Sequence, residues 1–362
     1  MTQFQTVHFV FIILLSTGLF AHVQIIPLLL NVAGRDAWIT PIFALIPLLL
    51  WVYVISKKVR VLNGKSVTEY VRSRTTKKVY FVMMGPFVGY FLFQASVTTA
   101  DLVYWSQNTF VPFLPFSLIA FVLVLLCTYA ASRQFSALAI SSFFLLPLVA
   151  ILGFFIAVSN TSKKDYTLLL PLMENGVLPV LEGTVISFLP LFELVLCLFF
   201  LSWLKKRVSF VALIITGAIL VGLIAGPTAG AIAEFGPSYA TLFRYPAYEQ
   251  WRLLTIGKYV SNVDFLAIFQ WFSGAIIRIG LFLYLTALIV SRKKSPNRKT
   301  TYICAIPILL AVFMPMKQHL FYQWAIGIVV PYLIVFMYAY SLIFLIWLNV
   351  LERKKGEVSI DS

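Results

Sequence analysis

Thr184-Val-Ile-Ser-Phe-Leu-Pro-Leu-Phe-Glu-Leu-Val-Leu-Cys-Leu-Phe-Phe-Leu-Ser-Trp203 is long enough to cross a bilayer, yet it carries Pro190 and Glu193 near its middle. About 20 apolar residues, rising about 1.5 Å each, span the ~30 Å hydrocarbon core. Pro190 removes a backbone donor and crowds the carbonyl one turn back, so the helix is expected to kink or open there. In lipid the freed carbonyl needs another partner, which a broken helix finds in a ligand, an ion or a neighbouring helix. An ionisable residue at mid-membrane costs several kcal/mol unless paired or neutralised, so Glu193 must face protein or a water-filled cavity. Two readings follow: a Pro kink with a structurally bonded Glu, or a discontinuous helix lining a small-molecule site.

The whole chain has the character of this stretch. It is 61% hydrophobic and 11% charged, with a mean hydropathy of +0.94. Soluble domains carry roughly 25% charged residues, so this is an integral membrane protein. A net charge of +15 would point to nucleic acid in a soluble chain, but here its placement reports topology and no nucleic-acid partner is implied. Cys127, Cys197 and Cys304 fall inside apolar spans without metal-ligand or redox spacing and read as packing residues. No Gly-rich phosphate loop, HExxH, CxxC or nucleophile elbow is present. The chain is therefore expected to be neither an enzyme nor a metal or cofactor protein. The N-terminal apolar run lacks a basic n-region and is too long for an h-region, so it is kept as the first span.

Apolar runs set against their polar breaks give ten expected spans, at about 7–33, 38–56, 79–111, 115–132, 135–158, 180–204, 208–234, 262–291, 301–316 and 322–350. Twenty of the 28 Lys and Arg residues fall on one side under this alternation, in the loops after spans two, four, six and eight and in the tail. That side is the cytoplasm by the positive-inside rule, which places both termini inside. The chain reads as a single transmembrane domain over 1–362, with a cytoplasmic tail at 351–362. An odd number of spans per half makes a 5+5 inverted repeat possible, about 7–158 and about 180–350, in which the first helix of each half is broken. Span six has Pro190. Span one has Ser16-Thr17-Gly18 at similar depth, with His22 one turn later and Pro27 beyond.

The outer segment between spans seven and eight is the most specific part of the chain. It reads Phe235-Gly-Pro-Ser-Tyr-Ala-Thr-Leu-Phe-Arg-Tyr-Pro-Ala-Tyr-Glu-Gln-Trp-Arg-Leu-Leu-Thr-Ile-Gly257, followed by Asn262-Val-Asp264 and Trp271. Together with Ala33-Gly-Arg-Asp-Ala-Trp-Ile39, it resembles the B-subunit family of spore germinant receptors, the endospore germination permeases of the amino acid–polyamine–organocation superfamily. The resemblance covers all ten spans. It implies a LeuT-type inverted repeat whose site lies between broken helices one and six, flanked by three and eight. It further implies a nutrient-sensing subunit in the spore inner membrane, working with an A subunit and a lipoprotein C subunit. Two departures are visible. Phe20-Ala-His22 stands where the family usually has Gly-x-Gly, and the Gly ahead of the sixth-helix Glu is missing from residues 187–192.

The candidate ligand-binding residues are Ser16, Thr17 and Gly18 on span one, and Gln94 and Thr98 on span three. Ser187, Phe188, Pro190, Phe192 and Glu193 on span six and Arg278 on span eight complete the set. Exposed backbone groups at two breaks would hold a carboxylate and an ammonium, with Phe188 and Phe192 as apolar walls. Glu193 and Arg278 are the two charges nearest mid-membrane, so mutual pairing is the economical arrangement, set against a ligand-facing role. His22 and Asp101 are candidates for a proton or vestibule role. The function expected is the ligand-sensing, permease-like subunit of a nutrient germinant receptor. The alternatives are a cation- or proton-coupled amino acid transporter and a structural subunit that binds nothing.

Overall fold

The computed structural model describes residues 4–255, 263–314 and 317–358, with side chains through 352. Ile256, Gly257 and Asn262 of the outer segment lie outside the described residues. Among those described the chain is all-helical, apart from one isolated bridge between Phe4 and Leu204. Eight helices are long and apolar enough to cross a membrane: Thr6–Trp38, Thr40–Leu62, Lys77–Thr109, Gln134–Ser159, Val177–Trp203, Phe210–Phe235, Val263–Ser291 and Gln318–Glu352. We call these the first, second, third, fifth, sixth, seventh, eighth and tenth helices. The fourth, Phe116–Ser132, and the ninth, Arg298–Phe313, stand where two further spans were expected, but they have 17 and 16 residues. Both fall short of the ~20 residues a perpendicular crossing needs.

Burial separates centre from rim. In the eighth, sixth and first helices 89%, 78% and 72% of the most apolar window is buried inside the protein, against 17% in the fifth. A helix buried on all sides is apolar all round, which is why periodicity along these segments carries little directional information. The third helix packs along the eighth, and the first is held by the fifth, seventh and eighth.

Two of these three central helices, the first and the sixth, are irregular, though not in the way their sequences led us to expect. The first stays α-helical through Ser16, Thr17 and Gly18 to Phe20 and only then widens into a π-helix over Ala21–Ile25. The distortion tracks Pro27, whose ring crowds the carbonyl of Val23 four residues back, whereas Ser and Thr hydroxyls are tolerated inside a helix. The sixth is α-helical over Val177–Phe188 and then tightens into a 3₁₀-helix over Leu189–Leu196 instead of opening. Pro190 follows directly on the α-helix at the second position of that segment, so its missing N–H removes one bond of the ladder where the winding changes. Runs of 3₁₀ helix beyond three or four residues are uncommon and often mark a hinge or strain.

The same two helices are tied at both ends. At one end Phe4 N donates to Trp203 O at 2.7 Å and Lys205 N to Phe4 O at 2.8 Å. At the other end Asp36 Oδ1 accepts from Met173 N at 2.8 Å, and Arg35 pairs with Glu174 at 3.0 Å. This gives the Ala33–Ile39 stretch a packing role: it clips the loop ahead of the sixth helix onto the end of the first. Between these ties the sixth helix passes close to the second. A Cβ on Gly183 would lie 2.6 Å from Thr40 Cγ2 and 3.2 Å from Ala33 Cβ. Thr40 is β-branched and stiff, so Gly183→Val is expected to cost about 1–3 kcal/mol through overpacking. Thermal unfolding of the purified protein measures this, with Gly222→Val, where a Cβ meets open space, as the control that should change little.

Candidate functional site

The sixth helix delivers Glu193 into the middle of the protein from within its 3₁₀ segment, and the eighth delivers Arg278 opposite it. Both side chains are 0% exposed and form a bidentate pair, with Arg278 Nη2 donating to Glu193 Oε1 at 2.7 Å and Nη1 to Oε2 at 2.8 Å. The carboxylate also accepts from Thr17 Oγ1 at 2.6 Å and from Tyr90 OH at 2.8 Å. The guanidinium donates through Nε to Thr98 Oγ1 at 3.2 Å and through Nη1 to Ser16 O at 3.3 Å. Its carbon lies 4.7 Å from the ring centroids of both Phe20 and Phe282. Four helices, the first, third, sixth and eighth, therefore meet on one pair of charges. Withdrawing two ions from water costs several kcal/mol each, and only geometry of this quality with further hydrogen bonds offsets it.

The remaining polar groups divide into those that join the pair and those that do not. Gln94 Nε2 reaches Tyr90 OH at 3.5 Å, while Gln94 Oε1 and Ser16 Oγ are buried with no partner among the described residues. Phe192 packs edge-on against Tyr90 at 5.2 Å and contacts Trp51 and Tyr338 as well. Pro190 is buried within the 3₁₀ segment. Three expected site residues face elsewhere. Ser187 shares a hydrogen bond with Thr40 at 3.0 Å, Gly18 packs toward Leu223 of the seventh helix, and His22 Nδ1 lies 3.3 Å from Leu223 O. Phe188 stacks on Tyr338 at 4.7 Å, and its carbonyl accepts from Tyr338 OH at 2.8 Å. A helix-ten tyrosine thus supplies a partner at the junction where the sixth helix changes its winding.

Asp101 organises a second cluster farther along the third helix. Its carboxylate accepts from Gln24 Nε2 at 3.0 Å, from Tyr245 OH at 2.8 Å and from Arg244 Nη2 at 3.3 Å. Tyr245 OH in turn meets Tyr322 OH, and Arg244 lies 4.2 Å over the Tyr322 ring. Burial, and then the Asp101 charge, push the Tyr245 hydroxyl well above its ordinary range, so it remains a donor. The segment between the seventh and eighth helices is anchored further by Tyr248 OH to Asp264 at 2.7 Å and by Trp271 against Trp105 at 4.0 Å.

Sequence reasoning missed Tyr90, Gln24, Arg244, Tyr245, Tyr322 and Tyr338 as participants. One signal was available. Tyr90, Gln94, Thr98 and Asp101 are spaced four, four and three apart, which puts them on one face of the third helix. That face runs from the Glu193–Arg278 pair to the Asp101 cluster, so both polar centres hang on a single stripe. No sequence periodicity could have paired Tyr338 or Tyr322 with its partner, because those contacts join helices far apart in the chain.

The family described as "Spore germination protein" matches residues 1–321. The chain is similar to Spore germination protein XB of Bacillus anthracis, at 32% identity over 346 residues, which cover 94% of this chain and 96% of that protein.

Proposed function

Because the chain belongs to the spore germination protein family, we propose that it is the permease-like, ligand-sensing subunit of a nutrient germinant receptor. In this reading all ten helices cross the spore inner membrane as one LeuT-type domain with both termini cytoplasmic. The repeats run about 7–158 and about 180–350, and an A subunit and a lipoprotein C subunit read the conformation. The observation that carries the proposal is the Glu193–Arg278 pair, which fastens the 3₁₀ segment of the sixth helix to the first, third and eighth. A nutrient that binds better to one packing of the first and sixth helices shifts the population toward it. The buried oxygens Ser16 Oγ and Gln94 Oε1 are spare acceptors beside the pair, available to a ligand ammonium or hydroxyl.

The test is a thermal-unfolding panel of amino acids, sugars and nucleosides on the purified chain, since a ligand that prefers the folded state raises its melting point. One chemical class is expected to raise it in proportion to concentration. Ser16→Ala removes a buried hydroxyl that has no partner, so its own stability should barely change while the ligand shift shrinks. A flat panel would sink the binding reading and leave the structural subunit. Uptake of the stabilising compound into proteoliposomes would instead establish the transporter.

The topology has its own check. Single cysteines replacing Lys65 and Lys294 should react only from the cytoplasmic side in a Cys-free background, and those replacing Lys163 and Leu242 only from outside. Outside reaction at Lys294 would remove a crossing and with it the inverted repeat.

A further inference from the structure

A groove of about 380 Å³ opens on the flank of the bundle between the second, sixth and tenth helices. Its floor is Trp51, Phe188, Leu189 and Tyr338, and Leu50, Val185, Val335 and Leu342 form its rim. The rim residues are 68%, 56%, 50% and 44% exposed, whereas Trp51 is 4% and Leu189 2% exposed. Each helix reaches the groove near its own midpoint: Trp51 within Thr40–Leu62, Leu189 within Val177–Trp203 and Tyr338 within Gln318–Glu352. The mouth therefore opens at the depth of the hydrocarbon core, below the reach of headgroups, water or a soluble peptide.

The walls are apolar, and their polar atoms are covered. Tyr338 OH is bonded to Phe188 O at 2.8 Å, and Trp51 Nε1 is buried. The groove extends over only one to two turns of each helix, from Pro47 to Val54, Val185 to Leu189 and Val335 to Leu342. A packed transmembrane helix needs a longer face than that. No hydrophobic driving force operates between apolar groups already in lipid, so what fills such a groove is decided by van der Waals contact. A flexible saturated chain is the medium at the mouth, enters without desolvation, and adapts to an irregular floor.

We propose that this groove is a binding site for the end of a bilayer alkyl chain. The seated chain bears on the sixth helix where it changes from α to 3₁₀, because Phe188 and Leu189 form its floor. From there contact passes to the charged pair: Phe192 packs on Trp51, Tyr338 and Tyr90, and Tyr90 bonds Glu193. The site stands whether or not a nutrient binds between the first and sixth helices, since its test reads contact with lipid and no germination response.

The purified chain is reconstituted into vesicles of phosphatidylcholine carrying bromine deep in its chains, and into unbrominated vesicles. The Trp51 part of the fluorescence is taken as the difference between wild type and Trp51→Phe. Bromine quenches on contact, so a residue 4% exposed is quenched only if a chain enters the groove. The Trp51 part is expected to fall by about half in brominated vesicles, and filling the groove with Val185→Phe and Val335→Phe should reduce that quenching roughly two-fold or more. Both filling positions are exposed, so folding is preserved, and matching elution on gel filtration confirms it. Trp324, 62% exposed, reports proper insertion through quenching of the remaining emission. An unquenched Trp51 part beside quenched remaining emission overturns the proposal and leaves the groove to a protein segment. Quenching that the filling substitutions do not change overturns it as well.

Discussion

Glu193→Gln is expected to reduce the stability of the purified protein by about 3 kcal/mol, because it strands the Arg278 guanidinium in a site with no solvent. Arg278 would keep Thr98 Oγ1 and Ser16 O as acceptors, but these are neutral and cannot replace a bidentate carboxylate. Combining it with Arg278→Met should recover much of the loss, since a buried pair replaced on both sides by uncharged groups of similar volume is often neutral or stabilising. The four-variant cycle isolates the coupling, read as unfolding free energy and as abundance in the membrane. If Glu193 instead contacts ligand more than it supports the fold, Glu193→Gln will retain normal abundance and shift the nutrient response to higher concentration. Normal abundance with an unchanged response would remove Glu193 from both roles.

Phe192→Ala is the second large effect. Phe192 is fully buried and sits between Trp51, Tyr90 and Tyr338, with ring centroids 6.2, 5.2 and 5.1 Å away. Removing the ring from a packed interior costs about 3–5 kcal/mol through lost contacts and the cavity left behind. Here it also frees the Tyr90 ring that aims its hydroxyl at Glu193. Phe192→Leu, which keeps most of the volume, should lose far less. Thermal unfolding of the three proteins in one detergent ranks them, and equal midpoints for Phe192→Ala and wild type would refute the packing described.

How much of this was legible in the sequence depended on the kind of signal. The membrane character and the long helices followed from the apolar runs, because hydrocarbon tolerates few alternatives to a helix. The pairing of Glu193 with Arg278 was legible too: two isolated charges at similar depth have few partners but each other. The form of the irregularities was not. Pro190 announced a disturbance, yet whether the backbone opens or tightens depends on what packs beside it, and Trp51 and Tyr338 arrive from remote helices. Ser16-Thr17-Gly18 drew attention for weak helix propensity, which the surrounding protein overrides, while Pro27 marked a disturbance without showing that it would take the form of a π-helix over Ala21–Ile25. Arg244 and Tyr245 were noticed only as parts of a motif. Their reach to Asp101 needed the outer segment to fold back over the third helix.

A second π-helix, at Phe321–Val329 in the tenth helix, contributes Tyr322 to the Asp101 cluster, just as the one at Ala21–Ile25 contributes Gln24. A π turn holds one residue more than the α-helix around it requires. Such a surplus can be handed along the helix, turning everything on one side by roughly 100°, the rotation per residue, while the other side stays in place. In the first helix such a turn is resisted on both sides: the N-terminal half is pinned through Phe4 to Leu204, and the half that carries Gln24 ends at the Asp36 clip. Both π segments reach one cluster: Gln24 bonds the Asp101 carboxylate, and Tyr322 bonds the Tyr245 hydroxyl that donates to it. Asp101 and Tyr245 are thus the shared partners of both irregular helices, and a turn in either one would have to break a bond to that cluster.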